Sequence, residues 1–158
     1  MLGPAPFARV GPHIAPKSAT SSRLALTEAE LIAWGETLGR AASPPLVIAL
    51  SGPLGAGKTV LAQSICRGYG VTDVVTSPTF GLVHEYAASR STVYHIDLFR
   101  LAGPDDLTAL AWDEIMSTRA LVLIEWPERA ATRLPADHLP IDLEYVPDDP
   151  NRRYLLAG

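Results

Sequence analysis

The chain has 158 residues, 47% hydrophobic and 19% charged, which suits one soluble globular domain with a core and is too short for two ordinary ones. No apolar run approaches the roughly 18 residues that a membrane span needs, and the single cysteine, Cys66, cannot form an internal disulfide, in keeping with a reducing cytoplasm. Net charge is −4, but residues 1–27 hold Arg9, Lys17 and Arg23 and no acid, which leaves −7 on the remainder. So acidic a body is a poor stand-alone nucleic-acid binder, because neutralising phosphates dominates that affinity. If the protein works on RNA, partners do the holding.

The first 22 residues contain four Pro, two Gly and a Thr-Ser-Ser cluster without periodicity. Residues 1–23 are therefore expected to be a flexible tail, and residues 24–158 a single domain. The tail resembles an organelle transit peptide faintly, but has no amphipathic face. Thr27-Glu28-Ala29-Glu30 is a capping box, and Leu31, Trp34, Leu38 and Ala41/Ala42 follow at helical spacing. Trp34 reads as core, and Pro44-Pro45 ends the helix.

The apolar run Leu46-Val47-Ile48-Ala49-Leu50 then leads into Gly52-Pro53-Leu54-Gly55-Ala56-Gly57-Lys58-Thr59, the pattern G-x-x-x-x-G-K-T of a phosphate-binding loop between a buried strand and a helix. Phosphate oxygens must come within hydrogen-bonding distance of main-chain N–H groups, so Gly replaces residues whose Cβ would intrude. The helix start adds free N–H groups and partial positive charge. Lys58 is predicted to reach the β- and γ-phosphates, with the Thr59 hydroxyl on Mg²⁺. The chain has 11 Arg but only two Lys, Lys17 and Lys58, so a compact ammonium has been kept where a point charge between phosphates is useful. Glycines at 52, 55 and 57 do not make the dinucleotide pattern G-x-G-x-x-G. Gly68 or Gly70 closes the helix, with Cys66 packed inside it.

Beyond the helix, Leu82-Val83-His84-Glu85-Tyr86 reads as a strand. Ser77-Pro78-Thr79 before it is either a link between two strands or a nucleotide-sensing turn, since hydroxyls on a mobile turn near a γ-phosphate can bind water or Mg²⁺. Thr92 to Arg100 is a strand with Asp97 toward its end. Residues 101–112 are a loop and then a helix, with Pro104 in its first turn and Asp105 and Asp106 at its positive end. Ala120-Leu121-Val122-Leu123-Ile124-Glu125 has the form of a Walker B strand, whose carboxyl end delivers a carboxylate to a metal. An acid ending an apolar strand is often only its emergence into solvent. Beside a phosphate loop, at least one of Asp97 and Glu125 is expected to serve the ligand, because ligands of open α/β sheets sit at the carboxyl ends of the strands. Ile141 to Tyr145 alternates strictly, residues 147–151 form a turn, and Arg152 to Leu156 closes a hairpin. The expected fold is α/β, a P-loop NTPase-like mixed sheet with a parallel core and antiparallel additions, flanked by helices.

GPLGAGKT, TSPTFGLVHEY, VYHIDLFRL and LVLIEWPE, in this order and spacing, resemble the bacterial tRNA threonylcarbamoyladenosine biosynthesis ATPase family, TsaE (YjeE), over roughly residues 26–157. The resemblance implies a small cytoplasmic ATPase that binds ATP and Mg²⁺. It would be needed to attach threonylcarbamoyl to the adenosine beside the anticodon, acting with the partners TsaD and TsaB and reaching tRNA only through them. It further implies that Lys58 and Thr59 keep their loop roles, that main-chain N–H groups of Gly55, Ala56, Gly57, Lys58, Thr59 and Val60 wrap the phosphates behind Gly52, and that Glu125 is the Mg²⁺-linked acid. Asp97 would act in nucleotide binding or hydrolysis, and Thr79 would fall in a switch-like turn. Trp126 would match at the strand end, as a nucleotide contact or as a packed cap. Thr27 and Glu28 would approach the adenine, and Arg152 or Arg153 would match a C-terminal arginine. Many members have Thr where this chain has Val60, a position for which only a main-chain contact is expected.

Three rival readings share the phosphate loop. A GTPase needs a guanine-reading N-K-x-D, and with Lys only at 17 and 58 and Asn only at 151 none exists. A small-molecule kinase would use Arg100, Arg129 or Arg133 as lid residues. A nucleotide-gated assembly module would treat hydrolysis as incidental.

Overall fold

A computed structural model describes residues 22–78 and 82–158. Seven strands form one sheet: β1 (Leu24–Thr27), β2 (Leu46–Ser51), β3 (Val83–Ala87), β4 (Thr92–Asp97), β5 (Leu121–Glu125), β6 (Leu139–Val146) and β7 (Asp149–Ala157). Their spatial order is β1-β7-β6-β2-β5-β4-β3. The central strands β6, β2, β5 and β4 run parallel, and β1, β7 and β3 add antiparallel edges. The expected mixed sheet with a parallel core is therefore present.

Burial explains the pattern. Every residue of β5 is buried, as a strand covered on both faces requires. β6 alternates buried and exposed positions from Leu139 to Glu144, as a half-covered strand does. Helices α1 (Glu28–Ala41) and α2 (Lys58–Tyr69) pack with one face around Leu38, Ile48, Leu61, Ile65, Leu123 and Leu155. On the other face a 3-10 segment (Pro104–Leu110) and α3 (Trp112–Ser117) bury Ile96, Leu107, Trp112 and Ile124. Trp34 is half-buried against the first core.

The predicted capping box starts α1: Glu30 N–H donates to Thr27 Oγ1 at 3.2 Å and Thr27 N–H donates to Glu30 Oε1 at 2.9 Å. Arg23, placed in the tail by its sequence, is tied to the sheet through Glu144 at 3.0 Å and lies 4.0 Å over the Tyr154 ring. β1 has no signal of its own in four residues, and exists because β7 offers it an edge. Residues 74–78 form no strand, so Ser77-Pro78 does not link two strands. The segment is moored instead by Gln63 Nε2 donating to Val75 O at 2.8 Å and Thr76 N–H donating to Tyr86 Oη at 3.3 Å. The helix expected after Pro104 is broken at Ala111, whose φ of 58° ends the 3-10 segment before α3 begins. The β6–β7 turn is tighter than expected, only Pro147-Asp148, with Asp148 at φ 69°.

Gly70 closes α2 with φ 106°, whereas Gly68 lies inside that helix for a different reason. A Cβ on Gly68 would stand 2.1 Å from Glu36 O, and one on Gly39 would stand 2.1 Å from Ile65 O. These glycines let α1 and α2 approach until backbone meets backbone, which fixes α2, and with it the phosphate loop, against the body. Alanine normally stabilises a helix interior by about 1 kcal/mol over glycine. Here the collision with main chain reverses the sign, so Gly39→Ala is expected to lower the unfolding free energy by about 2 kcal/mol, measured by urea denaturation.

Candidate active site

Parallel pairing brings the site together. In register, Leu50 of β2 lies beside Glu125 of β5, and Glu125 beside Asp97 of β4, so both acids and the entry to the loop stand side by side at the carboxyl edge of the sheet. Gly52 follows β2 with φ 151°, and a Cβ there would meet Leu143 O at 2.5 Å. Gly57, at φ 109°, caps α2. The first helical bond runs from Leu61 N–H to Gly57 O at 2.9 Å, so the N–H groups of Lys58, Thr59 and Val60 precede the helical ladder. Ala56 N–H is used within the loop, donating to Pro53 O at 3.1 Å.

Lys58 is 4% exposed. Its Nζ donates to Gly52 O at 2.6 Å and Pro53 O at 3.0 Å, and lies 4.1 Å over the Trp126 ring. Burial pulls its pKa below the ordinary lysine value, against the opposing pull of Glu125, Glu128 and Asp97. An anion seated beside it would relieve that desolvation. Trp126 adopts a left-handed φ of 60° directly after the β5 acid and packs on Phe99 with ring centroids 5.0 Å apart. It is thus both a cap over the strand end and a wall of the site.

The two acids are held differently. Glu125 is 3% exposed, and its oxygens accept from Thr59 Oγ1 at 3.2 and 3.3 Å. Glu125 Oε2 also accepts from His95 Nε2 at 2.6 Å. His95 is fully buried and its Nδ1 has no hydrogen-bond partner. The Nε2–H tautomer places the proton on the bonded nitrogen, so the orphaned atom is an acceptor and no N–H is left unpaired. Asp97 accepts from Ser77 Oγ at 3.2 Å and from Phe99 N–H at 2.9 Å.

A cavity of about 440 Å³ is lined by Lys58, Thr59, Asp97, Glu125 and Trp126, together with Gly55, Gly57 and Val60. Its volume is in the range of small-ligand sites. Ser77 and Leu82 also line it; Thr79, which lies between them, is outside the described residues. A second cavity, about 270 Å³, carries Thr27, Glu28 and Ala56 and meets the first along Gly55, Gly57 and Val60. Gly52 lines neither and contributes its carbonyl to Lys58. Of the two C-terminal arginines, Arg153 lines the second cavity. Arg152 is turned to β1 and α1, donating to Ala25 O at 3.1 Å and Glu30 Oε1 at 3.4 Å.

No cluster of three or more His, Cys, Asp or Glu able to hold a metal occurs among the described residues. What is present is a hydroxyl and a carboxylate in mutual contact, Thr59 and Glu125. Two hard oxygen donors fit a cation that draws its remaining ligands from phosphate and water, as Mg²⁺ does.

The sequence did not mark His95 or Phe99 as parts of the site, whereas Ser77 belongs to the turn for which nucleotide sensing is one of the two readings, and it lines the cavity. The signal for His95 was alternation: it lies two residues before Asp97 in the same strand and so shares its face.

Known proteins resemble this chain over most of its length. A family model described as "Threonylcarbamoyl adenosine biosynthesis protein TsaE" matches residues 25–154. A Treponema pallidum relative, tRNA threonylcarbamoyladenosine biosynthesis protein TsaE, is 36% identical over 78% of this chain and 90% of its own. Proteins of the same name from Haemophilus influenzae and Bacillus subtilis are 37% and 35% identical, over 67% and 68% of this chain and 67% of their own lengths in both cases. Among solved structures, that of Bacillus YdiB superposes with a TM-score of 0.68 at 25% identity, covering 87% of this chain and 86% of that one. The family model covers well over half of the chain and these relatives cover two thirds of it or more, so the chain belongs to the TsaE family of tRNA threonylcarbamoyladenosine biosynthesis proteins.

Proposed function

We propose that this protein is a Mg²⁺-dependent ATPase of the cytoplasm that supports threonylcarbamoylation of the tRNA adenosine beside the anticodon, acting with TsaD and TsaB. The observation that carries the ATPase reading is the convergence of Lys58, Thr59, Glu125 and Asp97 on one cavity at the carboxyl edge of the sheet. Family membership supports the pathway, and TsaD and TsaB as partners are proposed with it. ATP binding and hydrolysis would drive turnover of the partner complex and would not supply the transferred group. The −7 charge outside residues 1–27 makes tRNA contact indirect, through the partners.

The triphosphate would lie along the loop, with its phosphates in the larger cavity and its base in the second, between Thr27–Glu28 and Arg153. Lys58 would give up its carbonyl partners for β- and γ-phosphate oxygens, and the N–H groups at the start of α2 would take the remaining negative charge. Mg²⁺, held by Thr59 and Glu125, would supply a local positive charge on the same oxygens. His95 keeps the Glu125 carboxylate oriented while Thr59 shares it. With Glu125 so engaged, Asp97 would be the acid that orients the attacking water.

Lys58→Ala is expected to abolish ATP binding or turnover, read by calorimetry and phosphate release. Unchanged hydrolysis in that variant would discard the assignment. Glu125→Ala and Asp97→Ala are each expected to slow hydrolysis by at least about tenfold, or 1.4 kcal/mol of barrier. Wild-type rates in both would remove the acids from the mechanism. Co-purification of the native protein with TsaD and TsaB tests the pathway separately from the chemistry.

A further inference from the structure

The tip of the phosphate loop is a four-residue turn, Pro53 to Ala56, closed by Ala56 N–H donating to Pro53 O at 3.1 Å. Gly55, its third residue, has φ 81°, the value that marks a type II turn. Types I and II differ chiefly in which way the central peptide points, and here that peptide joins Leu54 to Gly55. Glycine tolerates both orientations, so the loop sequence by itself does not choose between them.

An exposed aromatic chooses. The Tyr145 hydroxyl donates a hydrogen bond to Leu54 O, from a residue 91 positions away in the chain. Tyr145 sits at the end of β6, where the pairing with β7 shifts register between Tyr145 and Val146, and such irregularities re-aim side chains. Its ring is braced by Arg153, the β7 residue paired with it, whose guanidinium lies 4.7 Å from the ring centroid. Arg153 is in turn fixed by donating to Pro150 O at 3.0 Å and Arg152 O at 2.8 Å. Leu54 has a side chain 70% exposed, and what the protein holds at this position is its carbonyl.

A trans peptide points its C=O and N–H in opposite directions. Tyr145 lines neither cavity, while Gly55 lines both. A carbonyl pinned on the Tyr145 side therefore turns Gly55 N–H toward the ligand space. From this we infer that Tyr145 is a positioning residue: it clasps the loop from outside and keeps the Leu54–Gly55 peptide in the orientation that offers Gly55 N–H to a phosphate oxygen. This rests on the nucleotide-binding reading above. The turn is thereby pre-organised, and the cost of ordering it is not charged to nucleotide binding.

The test is Tyr145→Phe, which keeps the ring and the Arg153 contact and removes only the hydroxyl. At 48% exposure the side chain is not core, so the variant is expected to fold as the wild type does. Hydrogen exchange of the amides of residues 54–57, measured without nucleotide, should be at least about threefold faster in the variant. The Kd for ADP and for a non-hydrolysable ATP analogue should rise about fivefold, with kcat at saturation changed less than twofold, because the loss falls on ground state and transition state alike. Unchanged loop exchange overturns the clasp whatever the affinities are. Faster exchange with unchanged Kd overturns its role toward phosphate. If the wild type itself binds no nucleotide, the ATPase reading fails, while the exchange comparison still decides whether Tyr145 orders the loop.

Discussion

Everything at the site depends on three parallel strands ending flush. β2, β5 and β4 pair in a register that sets Leu50, Glu125 and Asp97 side by side, so the chain leaves the first strand into the phosphate loop where the other two present their carboxylates. A one-residue slip of β5 would carry Glu125 to the opposite face of the sheet, away from Thr59 and His95, so these contacts tie the register to the site. A side chain as costly to bury as Glu125 is tolerated because Thr59 and His95 both donate to it.

The second support is the approach of α1 to α2. The first residue of α2 is Lys58, so the placement of that helix sets the height of the ammonium above the sheet edge. Gly39 and Gly68 allow main-chain contact with Ile65 and Glu36, which leaves the helix little room to slide. α1 also carries Thr27 and Glu28 at its start to the second cavity, so one helix pair positions both halves of the candidate ligand site. Packing and ligand geometry are here the same contacts seen from two sides.

What could be read directly from the chain was what is local. The glycine spacing before Lys58, the Thr27–Glu30 capping box and the acids ending two apolar strands each announce themselves within a few residues, and the structure shows all three. What could not be read depends on partners distant in sequence. His95 meets Glu125 across 30 residues and Tyr145 meets Leu54 across 91, and neither is recognisable before the register of the sheet is known. Gly39 and Gly68 looked like ordinary helix residues or a cap because their meaning lies in a neighbouring helix. β1 was hidden for the same reason: Leu24 to Thr27 is a strand only once β7 offers its edge. Of the two C-terminal arginines, alternation alone could not say which faced the cavity, and it is Arg153 that does.

The site's polar groups are already satisfied by one another, and this governs how a ligand would enter. Lys58 holds two loop carbonyls, Thr59 holds Glu125, and Ser77 holds Asp97. On the proposed reading, a triphosphate with its cation would exchange these bonds for new ones, so each exchange would contribute only a small net free energy, of the order of 1 kcal/mol. The exchanges are not equivalent, however. Phe99 N–H and His95 hold Asp97 and Glu125 by bonds of their own, separate from those of Ser77 and Thr59. The bonds to be surrendered are those of Lys58, Thr59 and Ser77, the three groups with chemistry to offer a phosphate or its metal. On that reading orientation would be retained while reactivity is released. Binding strength would then come mainly from the N–H groups at the start of α2, which have no helical partner to lose. The Gly55 N–H at the loop tip lies outside α2 and would join that set, so the direction of its single peptide would matter to the whole.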